Sequence, residues 1–301
     1  MKPLVIRKNN FYPYLLLFIQ PIFMASNIIV ARGGVEYVPP ISLAFWRWLA
    51  VFIILIPFFF EEIVKKKKKL KQESLKLFLL GLTGCGICGA FPFIAGMSTT
   101  MANMGIIYTS SPIFIIVLSV LFFGDKINLS RITGLILCLS GVFIIICKGD
   151  LTYLINFKFT SGDLWMLGAA VGWAVYSIFL INWKSSFSLM SRFTLIAFFG
   201  AISLFPFYLI EEFYFFNTAF NKNFAFWVLF AAISPGIIAF TLYTKVQKYV
   251  GASLAGFTLY IFSIYSAIYG IILFDESLLS FHYYGAAFVF FGVYLARKIV
   301  K

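Results

Sequence analysis

Arg47 stands between Trp46 and Trp48 inside an apolar run. A guanidinium there has two uses. It can donate paired, charge-assisted hydrogen bonds to a carboxylate or phosphate that enters a cavity. It can also snorkel toward water from an aromatic belt at a membrane surface. Other reactive groups are sparse. Cys85 and Cys88 form a CxxC, but no second pair and no histidine accompany it, so buried thiols fit better than a metal or redox site. His282 is the lone histidine and reads as a loop residue or an outer-face cap. No Ser/His or His/Asp/Glu constellation appears, so no catalytic residue, metal site or cofactor is expected.

All eleven Asp and Glu fall between the apolar runs or near their ends. A carboxylate within the membrane is the usual proton relay of a pump, so their placement favours facilitated passage or exchange. Asp125 and Glu276 each follow an apolar run. They either gate a pathway, pairing with Arg131 and nearby bases, or simply stop a helix. Pro21, Pro92, Pro112 and Pro235 lie inside or near the middle of runs, where proline kinks a helix and frees carbonyls. Asn27, Arg47, Tyr108, Trp173, Tyr176, Ser177 and Tyr243 are the candidate substrate-cavity residues around such kinks. The competing role for these polar groups is hydrogen bonding between helices. Gly81, Gly84 and Gly89 have the small-residue spacing of close helix contact.

The scaffold follows from composition. Of 301 residues, 62% are hydrophobic and 12% charged, with mean hydropathy +0.97. Soluble domains are about half apolar and about a quarter charged. The apolar residues come in continuous runs near the roughly 20 residues that cross a bilayer as a helix. A membrane barrel would show alternating segments of roughly ten residues instead. The expected fold class is therefore an all-α integral membrane protein with ten spans, at about 13–32, 43–60, 75–97, 103–123, 131–148, 163–183, 190–209, 225–247, 252–274 and 281–299. The first run lacks a small-residue cleavage site and is expected to stay.

The net charge of +13 sits between the runs, which excludes a nucleic-acid role. It orients the chain. With both termini in the cytoplasm, 19 of the 24 Lys and Arg fall inside, including the run Lys65–Lys69, which reads as a cytoplasmic loop. Arg32, Arg47, Lys148, Lys158 and Lys222 fall outside.

The halves repeat. A shift of 151 positions puts Phe123 on Phe274, Asp125 on Glu276, Arg131 on His282, Gly134 on Gly285, Gly141 on Gly292 and Val142 on Val293. Five spans per half is odd, so the second half enters from the opposite side. Such inverted repeats let a central site open alternately to each side.

The stretch Gly105–Gly149 (GIIYTSSPIFIIVLSVLFFGDKINLSRITGLILCLSGVFIIICKG) resembles the end of the first EamA domain in the drug/metabolite transporter superfamily. Gly251–Arg297 resembles the same element in the second domain, with Ser263 where Pro112 stands in the first. Met24–Arg32 and Phe45-Trp46-Arg47 resemble the family's first two helices. The resemblance implies two inverted five-helix domains, 13–149 and 160–300. It implies a permease of the bacterial inner membrane that moves a small metabolite, often an amino acid, by alternating access. A lipid-linked head-group flippase or a drug exporter of the same fold is the alternative. The partners expected are a small-molecule substrate and the lipid bilayer, with a possible homodimer, and no enzyme activity.

Overall fold

The computed structural model describes residues 12–124, 129–150, 160–243, 245–246, 249 and 258–296. Asp125 and the side chain of Arg131 lie outside this description. The described elements are helices and short connections.

Helix α1 spans Tyr12–Gly33. Pro39-Pro40 then opens α2, Pro40–Lys65, with proline at the start where its missing N–H costs no hydrogen bond. The lysine run is not the expected loop. Only Lys66 interrupts it, and Lys67 already begins α3, Lys67–Gly81. Glu61 with Lys65 and Glu62 with Lys66 are i,i+4 pairs that carry α2 into the run, and lysine is a good helix former. A π-turn, Leu82–Ile87, joins α3 to α4, Cys88–Gly96. The fourth span is broken into α5, Met101–Tyr108, and α6, Ser111–Phe123. Pro112 sits in the first turn of α6, so it begins a helix rather than kinking one. Helix α7 is Leu129–Ile146.

The second half repeats this plan. Helix α8 is Ser161–Asn182, α9 is Leu189–Tyr214, and α10 is Lys222–Ala231. A second π-turn, Ala232–Ile238, follows α10. Helices α11, Thr258–Phe274, and α12, Ser280–Ala296, complete the described chain. Seven helical segments are long and apolar enough to cross a membrane, and Ile132–Ile145 and Ile261–Phe274 are shorter apolar helices.

The repeat extends beyond the stretch legible in sequence. Helices α1 and α8 are both 22 residues long, and α2 and α9 are both 26. Ser161 follows Tyr12 by 149 positions, and Leu189 follows Pro40 by the same 149. The two π-turns start 150 positions apart, at Leu82 and Ala232. Gly124 and Asp275, 151 apart, both adopt the left-handed conformation after a helix, with φ of 68° and 51°. Aspartate is one of the few non-glycine residues that tolerates it.

Helices α7 and α12 pack backbone to backbone. A Cβ on Gly141 would lie 2.6 Å from the Gly285 oxygen, and one on Gly292 would lie 2.6 Å from the Gly134 oxygen. Each glycine therefore meets the repeat mate of its helix's other glycine. That crossing is antiparallel and two-fold symmetric. Gly292→Ala should separate the pair and destabilise the fold by roughly 1–3 kcal/mol. Thermal unfolding in detergent checks this, with Ser140→Ala, on the exposed side of α7, expected within about 0.5 kcal/mol of the parent.

Candidate functional site

Between the halves lies a cavity of about 60 Å³. It is room for roughly four waters. Helix α1 contributes Gln20, Met24, Asn27 and Ile28, and α2 contributes Arg47 and Trp48. Gly84, Cys88 and Pro92 come from the third span, Tyr108 from α5, and Met166 and Trp173 from α8. Pro235, Ala239, Phe240 and Tyr243 come from the second π-turn and the helix after it, and Phe262 from α11.

Arg47 is the charge in this cavity. It is 4% exposed, and its Nη1 donates to Asn27 Oδ1 at 2.6 Å. The guanidinium carbon lies 4.4 Å from the Trp48 ring centroid and 5.6 Å from that of Phe93, within cation–π reach. Its Nε is buried without a hydrogen-bond partner, and no carboxylate lies within ion-pair distance among the described residues. Gln20 donates to the Ala239 oxygen at 3.4 Å, while its own Oε1 is buried and unmatched. Ser26 and Ser234 share a 2.7 Å hydrogen bond that ties α1 to the second π-turn. The walls are aromatic. Tyr108 lies 6.1 Å from Trp173 and 5.6 Å from Phe262, and Phe193 stacks on Phe240 at 4.4 Å.

The cavity brings together Asn27, Arg47, Tyr108, Trp173 and Tyr243. Tyr176 stands one layer behind, its ring 5.4 Å from Trp173 and pressed on Gly84, where a Cβ would lie 2.5 Å from it. Ser177 is half-buried on α8 and does not line the cavity, because Trp173 and Met166 occupy the face of that helix turned inward. Gln20 stands beside the Pro21 kink, a polar group legible in sequence; Phe240 had no such signal, and Met24 had none of its own. The shift of 149 that relates α1 to α8 supplies one, since it sets Met24 on Trp173 and Asn27 on Tyr176.

Cys85 and Cys88 are buried free thiols, and Cys88 donates to the Ala169 oxygen at 3.3 Å. His282 caps α12, its Nδ1 accepting from the Leu279 N–H at 2.9 Å.

None of the described acids lines the cavity. Glu276 caps a helix, its carboxylate accepting from the Met101 N–H at 2.9 Å at the start of α5. This is a partner that sequence reasoning missed, and four other acids also accept hydrogen bonds from the opposite half. Glu62 accepts from Ser188, and Glu211 accepts from Ile41 and Ser42. Glu73 accepts from Ser185 and Ser186, and the fully buried Asp163 accepts from Thr99 and Asn103. Each of the five crosses from one half to the other.

A family model, the EamA-like transporter family, matches residues 11–147 and again residues 160–297. The chain belongs to the EamA-like transporter family. With its long apolar helices it is a multi-pass membrane protein. It is similar to an uncharacterized transporter of Archaeoglobus fulgidus, 28% identical over 169 residues, which is 56% of this chain and 57% of that protein. The uncharacterized transporter YyaM of Bacillus subtilis is 25% identical over 55% of this chain and 54% of its own length. Uncharacterized transporter YdfC of Bacillus subtilis is 25% identical over 79% of this chain and 75% of its own. The chain thus spans little more than half the length of the first two relatives. One protein of known crystal structure shares the fold, with TM-score 0.60 and 17% identity over 96% of this chain and 97% of that one.

Asn27→Leu would leave the Arg47 guanidinium without its acceptor in a buried site. The expected loss is about 1–3 kcal/mol of stability, read by thermal unfolding in detergent. Adding Arg47→Met removes the stranded donor as well, so the double variant should melt higher than Asn27→Leu alone.

Proposed function

We propose that this chain is a transporter moving a small metabolite with a carboxylate, an amino acid or a related compound, across the cytoplasmic membrane by alternating access. The observation that carries the reading is Arg47. A buried guanidinium paired only with a neutral amide has unspent electrostatic attraction in a low-dielectric site. An incoming carboxylate would answer it. The unmatched Gln20 oxygen would accept from an amino group, and the aromatic walls would take an apolar or aromatic body. A cavity of about 60 Å³ has to widen for such a solute, which fits a site caught between openings.

The transport mechanism rests on ten crossings in two inverted domains, 13–149 and 160–300, with both termini in the cytoplasm. Three things support it. The antiparallel symmetric crossing of α7 and α12 is what inverted fifth helices produce. The π-turns occupy matching places in the two third helices. Helix ends meet in alternating order, as where Thr99 meets Asp163 at one face and Glu73 meets Ser185 at the other. With no described acid in the cavity, passage or exchange is favoured over proton coupling.

The test is a thermal-shift panel of L-amino acids and their carboxamides on the purified protein, followed by flux in liposomes. The free carboxylates should stabilise and cross, and the amides should not. Arg47→Gln should lower flux roughly 10- to 100-fold, matching about 1.5–3 kcal/mol for a hydrogen bond to a charged group. Unchanged flux in Arg47→Gln overturns the carboxylate role. Protection by a lipid-linked head group alone would turn the reading to a flippase.

A further inference from the structure

Helices α2 and α9 run antiparallel and are related by the 149-position shift. That shift sets Ser42 on Ser191, Pro57 on Pro206, Phe58 on Phe207 and Glu62 on Glu211. The four polar members form two copies of one contact. Near the end of α2, Glu62 accepts from the Ser188 N–H at 2.8 Å, from Ser188 Oγ at 2.6 Å and from Ser191 Oγ. Near the end of α9, Glu211 accepts from the Ile41 N–H at 3.0 Å, from the Ser42 N–H at 2.6 Å and from Ser42 Oγ at 2.9 Å. Each glutamate lies three residues before its own helix ends. There it faces the negative end of its own helix dipole, an unfavourable place that the positive N-terminus of the partner offsets. Ser42 and Ser191 are fully buried, and Glu211 is 5% exposed.

Twenty residues separate Ser42 from Glu62, so the two contacts lie about 30 Å apart along the pair. Both are made at once. Between them Phe45 stacks on Tyr208 at 4.7 Å, and Phe52 lies 4.8 Å from Phe198. A contact that served as a gate would be made at one end and broken at the other.

We infer that α2 and α9 form a fixed strut, pinned at both ends by the reciprocal caps of Glu62 and Glu211, while the access change takes place in the other helices. Both glutamates are positioning residues. They hold α2, and with it Arg47, at constant depth. The role assigned to Arg47 rests on the transport reading, but the strut does not.

Hydrogen exchange on the full chain in phospholipid nanodiscs tests it without any substrate. A strut predicts protection factors above about 1,000 for amides near Ile41–Ser42 and Ser188 alike, because exchange there needs the pair to open. Glu211→Gln should speed exchange about tenfold or more at Ile41–Ser42 and leave Ser188 unchanged, and Glu62→Gln should do the reverse. Protection below about 100 at either end of the parent protein means that the end opens readily, and the strut is wrong. Equal acceleration at both ends in either variant, or none at the capped end, removes the glutamates' role. A failure of amino-acid flux alone leaves these exchange results standing.

Discussion

A helix that starts at the edge of a hydrocarbon layer leaves up to four N–H donors without partners inside the helix. Water serves them poorly there, so the protein must. In this fold the service comes from carboxylates of the opposite half. Glu211 covers the start of α2, Glu276 the start of α5 and Glu62 the start of α9. Asp163 binds the residues just before and inside α5. The same few bonds thus satisfy the backbone, neutralise the positive helix ends and join two halves that few loop contacts would hold. The glycine crossing of α7 and α12 joins them a second time, through close backbone contact.

Set against this, Arg47 is the exception. The charges at the edges have opposite charges, dipoles or several donors to answer them. The charge in the middle has one neutral amide and two aromatic faces. Its ring neighbours hold the guanidinium in place but leave its charge uncompensated. The walls of the same cavity carry both π-turns, where the regular hydrogen-bond ladder is interrupted, and such interruptions mark sites of function more often than sites of support. A partly answered cation and softened backbone therefore meet at one depth, between the halves.

Much of the architecture was legible in the residues. Continuous apolar runs give the helices because a chain in hydrocarbon has no other way to pair its backbone locally. Helices α7 and α12 betray the repeat because the glycines that make their backbone contact stand at matching positions in both. The helix-end carboxylates were not legible. An acid after an apolar run looks the same whether it faces water or a helix start 149 positions away, and periodicity carries no sign of the partner. The repeat itself was hidden over the first two helices of each half. One extra residue before the second π-turn and one within it move the shift from 149 through 150 to 151, and the match of Pro57-Phe58 with Pro206-Phe207 falls out of register. The lysine run misled for another reason. Charge marks it as outside the membrane, yet nothing in charge opposes a helix. Ser177 is polar and one position past Tyr176, but one helical position is a turn of about 100°, enough to leave the cavity.

The small size of the cavity then constrains what moves. The metabolite proposed above would need several times the space of a few waters, so some of the lining helices would have to shift. The α7–α12 crossing is close, since backbone touches where a Cβ would collide, as it also does where Gly96 meets Ala31 and Gly162 meets Ala95. The α2–α9 pair is bonded at both ends. The other elements are α1 and α8 with their partners α11 and α5–α6, and the two third helices with their π-turns. These elements supply all the cavity lining except Arg47 and Trp48. The geometry therefore separates two duties that a transporter has to combine. The cation that would recognise the solute sits on a pinned helix, and about half of the wall around it sits on the π-turn helices and the broken α5–α6 span.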